Sequence, residues 1–445
     1  MGFPIFQRAG FKKYFLNVSW LLTEKIVRAV VTMTIGIYVI RYLGPSNYGL
    51  LSYATSFVTL FSFFPKLGLD HIVVKHLASE SFRRDVFLGS AFVLKFLGAI
   101  AAIFIIYVIN LFIPNEKITP FLTIIIASSF IFQSFNVIDL YFRAHTRSKY
   151  VVFAQLIQLG ISSTIKILFV VFKASLVWFA FLCVFDSLIV AFGLIVFYKN
   201  ERLFLTRWQF DFKISKSLLK ASSPLIFSYL MVSIYMRIDQ ILIKWILDNQ
   251  SVGYYAVAVN LCEAWNVIPV TIYHSVFPAL IKSKMLNEKS YYADLQKLYD
   301  LMMILSLAVV LFTILFGKKI IYLFFGQDFM PAVPVIIIYA WSCIFSFLGI
   351  ASDGWFIAEN FQKNIFYRTV LGMIINIVLN IIFIKRFGIV GAAFATTISY
   401  CFAVYISLIF MPSCRKNLIA LTRSLNLVSL FKRNLNVKNF FIKPT

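Results

Sequence analysis

Runs of about 20 predominantly apolar residues recur along the chain between short polar connections, and each is long enough to cross a bilayer as a helix. These windows predict about twelve spans: residues 17–40, 48–64, 86–113, 118–142, 150–172, 175–198, 218–247, 252–273, 298–325, 330–357, 364–384 and 388–411. The predicted fold class is therefore an all-α integral membrane protein. A polar, basic stretch at 199–217 divides the spans into two sets of six. The expected organisation is an N-terminal lobe over 1–198, a cytoplasmic basic linker over 199–217, a C-terminal lobe over 218–413 and a tail over 414–445.

A faint repeat agrees with that division. Residues 42–54 (YLGPSNYGLLSYA) lie against residues 246–258 (ILDNQSVGYYAVA), each joining the first and second spans of its half. Six spans per half would start both halves on the same side of the membrane, and transporters built from such repeats bind substrate at the repeat interface. Gly44 and Gly253 stand where the chain is expected to turn. Glycine tolerates the positive φ that such turns often need.

Composition strengthens the membrane reading. Hydrophobic residues make up 61% of 445 positions, more than a soluble domain of this size could hide from water. Lys and Arg outnumber Asp and Glu by 42 to 18, a balance that on a soluble protein would suggest nucleic acid. Here the cations are grouped by connection instead. One alternating set of connections, counted with the span ends beside them and including both termini, carries 29 of them and the other set carries 8. Cytoplasmic connections of membrane proteins hold such an excess, so both termini are predicted to be cytoplasmic and nucleic acid is not an expected partner. The first apolar run has no small-residue cleavage site and is expected to be retained. Beyond residue 413, Arg415, Lys416, Arg423, Lys432, Arg433, Lys438 and Lys443 alternate with leucines and phenylalanines. That pattern predicts a basic amphipathic segment on the anionic cytoplasmic leaflet.

Among the cations that fall inside the predicted spans, Lys25, Arg28, Lys95, Lys166 and Arg237 stand out. At mid-membrane each costs roughly 2.5–3.5 kcal/mol on insertion scales, so such residues normally face a cavity or a partner. Glu24, Asp186, Asp239, Glu263 and Asp353 are available to neutralise some of them. Glu24 and Arg28, four apart, share a helix face. Arg237 and Asp239, two apart, do not, so Asp239 is expected to meet Glu263 or another residue, and an acid beside an acid can carry a proton. The stretch from Arg237 to Glu263 reads as a hairpin with a polar turn at 248–251.

Other chemistry finds no pattern. Gly317-Lys318-Lys319 lacks the earlier glycine and the hydroxyl of a phosphate-binding loop, so no ATP hydrolysis is expected. The four histidines and five cysteines show neither metal-ligand spacing nor a disulfide framework, and no nucleophilic triad is recognisable. Neither a cofactor nor a metal is expected, and the chain does not read as an enzyme.

Several segments resemble the polysaccharide flippases, the O-antigen and exopolysaccharide transporters. Arg41-Tyr42-Leu43-Gly44-Pro45 with Tyr48-Gly49-Leu50, and Leu67-Gly68-Leu69-Asp70 with Val74, resemble their first connections. Arg237-Ile238-Asp239-Gln240, Val252-Gly253-Tyr254-Tyr255, Glu263-Ala264-Trp265 and Pro269 resemble their central hairpin, and residues 387–393 their last-span start. The resemblance implies the multidrug/oligosaccharidyl-lipid/polysaccharide exporter superfamily, with two six-helix lobes forming a V around a central cavity. It further implies a cargo of oligosaccharide repeat units on undecaprenyl diphosphate, flipped outward across the bacterial inner membrane for O-antigen or other surface polysaccharide.

On that expectation Arg28, Lys95, Lys166 and Arg237 bind the diphosphate and Lys25 stands at the cytoplasmic entrance. Asp239, Glu263, Asp353 and Glu24 couple a proton or Na⁺, and Tyr235, Tyr254, Tyr255 and Trp265 stack on sugar rings. Partners would be the lipid-linked oligosaccharide, membrane lipids, and a polysaccharide polymerase with its chain-length regulator. The alternatives are a multidrug or lipid II exporter of the same superfamily, a polymerase or ligase enzyme, and a passive assembly partner.

Overall fold

The computed structural model describes residues 9–79, 83–112 and 118–434. The chain forms two compact units, residues 1–241 and 242–445. The boundary falls near the end of the seventh predicted span rather than in the expected 199–217 linker.

The first unit contains α1 (Ala9–Leu60), α2 (Phe63–Lys66), α3 (Leu69–Ser79), α4 (Arg84–Phe112), α5 (Ile118–Gln133), α6 (Val137–Ala144), α7 (Lys149–Val171) and α8 (Leu176–Asn200). It also takes most of α9 (Phe212–Ile246). Its core gathers Leu69 and Val73 of α3, Leu88 of α4, Ile138 and Phe142 of α6, Val151 of α7 and Tyr198 of α8. The connection after α8 is not a free linker, because it carries apolar side chains that find this core. The Trp208 indole donates to the Tyr198 hydroxyl at 3.2 Å, and the Gln209 amide donates to the Asp85 carbonyl at 3.2 Å.

The second unit continues with α10 (Asn249–Ala264), α11 (Val267–Leu286), α12 (Glu288–Ile320), α13 (Ala332–Ala340), α14 (Ser342–Ala358), α15 (Gln362–Cys401), a short α16 (Ser407–Ile409), α17 (Arg415–Leu425) and α18 (Leu427–Asn434). The polar turn read at 248–251 starts α10. The Asp248 carboxylate accepts from the Ser251 amide at 2.7 Å, satisfying one of the donors a helix start leaves unpaired.

Ten helices among the described residues are long and apolar enough to cross a membrane, against the twelve spans expected. Much of the difference lies in two glycines. Gly44 (φ 69°) interrupts α1 and Gly388 (φ 59°) interrupts α15, both at places where the sequence predicts a connection. A single residue of positive φ breaks the helix at each, so α1 and α15 each consist of two helical arms joined at the glycine without an intervening loop, and the predicted spans on either side are those arms. In α15 the chain folds back on itself: a Cβ on Gly391 would lie 2.1 Å from the Phe383 carbonyl oxygen, where eight residues of straight helix would separate them by about 12 Å. Asn376 on one arm donates to Thr396 (3.4 Å) and Ser399 (3.3 Å) on the other.

Large apolar side chains remain outside, among them Val30, Phe104, Leu111, Phe192, Leu311 and Leu323. Such surface belongs in hydrocarbon, and this is a multi-pass membrane protein. Of the predicted tail, α17 and α18 are helical and keep one face on the protein. Tyr299 donates to Asn417 (2.6 Å), Asn417 donates to Ser352 (2.9 Å), and Asp300 accepts from Ser424 (2.6 Å) and doubly from Arg433 (2.9 Å each). Lys438 and Lys443 of that expectation lie outside the described residues.

Candidate functional site

Five charged side chains of the first unit line a cavity of about 220 Å³ between its helices. Its construction begins with a close approach. A Cβ on Gly98 of α4 would stand 2.2 Å from the Phe64 carbonyl oxygen of α2, so only glycine lets these backbones come this near. Lys95 precedes Gly98 by three residues and shares its helix face, which places Lys95 beneath the turn that follows α2. That turn uses two left-handed residues, Leu67 (φ 47°) and Gly68 (φ 63°), and α3 then starts with Leu69 and Asp70. The Lys95 ammonium donates to Asp70 at 2.6 Å, with the lysine 3% exposed and the aspartate side chain 35% exposed.

A second pair stands across the cavity. Asp139 of α6 is buried and accepts from its own helix neighbour Arg143 at 2.7 and 2.5 Å. Lys66, on the wall, makes no ion pair among the described residues and lies 5.9 Å from the centre of the Tyr229 ring of α9. Gln133, Asn136 and Gln155 complete the polar lining, while α8 contributes only Val190 and Leu194. Three cations thus face two carboxylates in a space able to hold roughly seven waters.

Arg28 adjoins the same wall through α7. It donates to Glu24 at 2.5 Å, to the Gln158 side chain at 3.3 Å and to the carbonyl of Gln155 at 3.4 Å. The shared face read for Glu24 and Arg28 is therefore an ion pair with its remaining donors aimed at the next helix. Lys95 takes its partner from outside the acids singled out in the sequence. Asp70 was visible only as part of a connection motif, and Asp139, Arg143 and Lys66 carried no periodic signal at all.

The other expected residues are dispersed. Lys25 is exposed. Lys166 and Arg237 are half-buried and make neither hydrogen bond nor ion pair among the described residues. Asp239 is 6% exposed, beside Gln240, whose side chain accepts from Ser56 at 2.8 Å, and Tyr235 is half-buried one turn before. In the second unit Glu263 is half-buried. Asp353 is bound by Arg368, a buried arginine the sequence reading passed over. That guanidinium also donates to the Gly349 carbonyl (3.3 Å) and lies 5.0 Å from the Phe356 ring centre. Tyr254 accepts from Gln250 at 2.5 Å and Trp265 meets Phe312 edge-on, both half-buried. Tyr255 is corrected: it is 1% exposed, with its hydroxyl 3.2 Å from Thr396 and its ring against Tyr339, so it packs the unit and offers no face to a sugar.

Comparison with known proteins places this architecture. A family model described as "Polysaccharide biosynthesis protein" matches residues 15–284. A protein of Haloferax volcanii named "Probable low-salt glycan biosynthesis flippase Agl15" is 27% identical over 197 residues, which are 43% of this chain and 40% of that protein. The chain thus aligns with less than half the length of that curated relative. Among solved structures, a lipid II flippase, MurJ, in an inward closed conformation superposes over 96% of this chain and 94% of its own at a TM-score of 0.70 and 18% identity. An inward-facing multidrug resistance transporter of the MATE family, in the MOP superfamily, covers 89% and 96% at a TM-score of 0.65 and 14% identity. At these identities the two structures speak for the fold.

Proposed function

From the chain's membership of the polysaccharide biosynthesis protein family, within the multidrug/oligosaccharidyl-lipid/polysaccharide exporter superfamily of transporters, we propose that it is a flippase for a lipid-linked glycan. The cargo is an oligosaccharide repeat unit on a polyprenyl diphosphate, carried by alternating access from the cytoplasmic to the periplasmic leaflet of a bacterial inner membrane, with both termini cytoplasmic. The observation that carries this reading is the cation-rich cavity of the first unit, where buried Lys95 and exposed Lys66 face one polar space. A diphosphate headgroup needs cations in a place hydrocarbon does not reach, whereas a drug cation would be repelled there.

Arg28, Lys95, Lys166 and Arg237 are the headgroup ligands in this scheme, with Lys25 at the cytoplasmic entrance. Tyr235, Tyr254 and Trp265 are the sugar-facing aromatics. Asp239 and Glu263 couple an ion, with Glu24 and Asp353 acting through the arginines they already hold. An inside-negative potential favours outward movement of an anion by about 2.3 kcal/mol per charge per 100 mV. A polymerase and its chain-length regulator would take up the product.

A second reading, lipid II as cargo, is favoured by the likeness to the lipid II flippase along nearly the whole chain. Lipid II shares the polyprenyl diphosphate and differs in its sugar-peptide head. Complementation separates the two. Restored surface polysaccharide in a strain lacking its repeat-unit flippase supports the first cargo, and rescue of a strain depleted of its lipid II flippase supports the second. Failure in both, with the protein present in the membrane, overturns the flippase assignment.

A further inference from the structure

We propose that the cavity of the first unit is an oxyanion-binding subsite, specific for a phosphate group, in which the Asp70 carboxylate occupies the ligand's place on Lys95 until the ligand displaces it. Lys95 is nearly inaccessible yet lines the cavity, and only one of its three N–H donors meets a protein acceptor, Asp70, among the described residues. An ammonium held so deep needs an anion next to it. Asp70 supplies one, but it does so from α3, with its side chain 35% exposed and thus free to turn toward water. The two ends of this pair differ: the cation is fixed and buried, and the anion can leave at modest cost.

The remaining groups fit an incoming oxyanion. Lys66 on α2 and Arg143 on α6 are exposed cations on the wall, Arg143 fixed by Asp139, while Gln133 and Asn136 add amide donors. Lys66 stands 5.9 Å from the centre of the Tyr229 ring of α9, α7 presents Gln155, and α8 contributes only the apolar Val190 and Leu194. With Asp70 turned away, three cations would face one carboxylate, an excess a phosphate or diphosphate neutralises. At about 220 Å³ the space suits an inorganic anion or a headgroup and is too small for a sugar chain. The subsite stands on the cavity alone; that its natural ligand is the cargo's own diphosphate rests on the flippase reading.

The test is equilibrium binding to the purified full chain in detergent, with inorganic phosphate, inorganic pyrophosphate and farnesyl pyrophosphate as probes. Wild-type protein should bind at least one of them, and Lys95→Gln should lose that binding by tenfold or more. Asp70→Asn should tighten it several-fold, a gain that a misfolded variant cannot imitate. Binding of farnesyl pyrophosphate well above inorganic pyrophosphate identifies a lipid headgroup, and equal or stronger binding of the inorganic ions identifies a soluble anion. Weaker or unchanged binding in Asp70→Asn overturns the displacement. No binding of any probe by wild-type protein overturns the subsite, and the complementation above still decides the flippase assignment on its own.

Discussion

At the scale of single residues, several buried charges among the described residues pair with a more exposed partner, as Glu24 with Arg28 and Lys95 with Asp70. Arg28 spreads its donors over Glu24, Gln158 and the Gln155 carbonyl, a fork that lysine cannot reproduce. Both Arg28→Gln and Arg28→Lys are expected to reach normal membrane levels and to lower transport about tenfold, the equivalent of about 1.4 kcal/mol. Surface-polysaccharide yield at matched expression checks this, and full activity in Arg28→Lys would show that charge alone suffices. In the second unit Arg368 is buried while the Asp353 side chain is 38% exposed. Breaking a fully buried pair costs about 3–5 kcal/mol, and exposure of the acid lowers the expected cost of Asp353→Asn to about 2 kcal/mol. Adding Arg368→Met to that variant should recover part of the loss, because the unpaired cation is then gone; thermal unfolding in detergent reads both.

At the scale of elements, approach between helices sets where charges can meet. Gly98→Ala would drive a methyl into the Phe64 carbonyl, forcing α4 from α2 and moving Lys95 with it. Overpacking of this kind costs about 1–3 kcal/mol. The control is Gly160→Ala, where nothing lies within 4 Å and the gain in helix propensity should make the change neutral or slightly stabilising. A lower melting temperature in the first variant only is the expected result. The connection between α6 and α7 is tied to the end of α8 in another way. The Tyr150 hydroxyl (2.6 Å) and then the Arg147 guanidinium hold the Glu201 carboxyl below the usual carboxylate range. A lowered carboxylate stabilises the fold at pH values above its unfolded titration, about 4.3, and that contribution disappears as pH falls through the lowered value. Glu201→Gln should therefore unfold earlier than wild type at pH 7, and the difference should close in acid.

At the scale of the whole molecule, the uneven distribution of Lys and Arg between alternating connections predicts one orientation in the membrane. Reporter fusions in the connection after α8 and after α18 should both report the cytoplasm. A reporter at the turn between α9 and α10 should report the periplasm. The opposite pattern would invert the proposed direction of transport and place the cavity of the first unit, with Lys66 and Asp70 at its wall, on the other side of the bilayer.

The sequence by itself determined that this is a helical membrane protein, where its chain reverses, and that its buried cations demand partners. Those properties follow from length, apolar content and local spacing, which is why the Glu24 and Arg28 pair and the start of α10 at Asp248 were legible. Only the tertiary structure decided which partners the cations take. Lys95 and Asp70 are 25 residues apart and Arg368 and Asp353 15 apart, separations no helical period connects. It also decided that the helical arms on either side of Gly44 and Gly388 meet at one residue of positive φ with no loop between them, and that Tyr255 packs inward. Each of these depends on which backbone comes near which, and a linear pattern of polar and apolar residues carries no such distance.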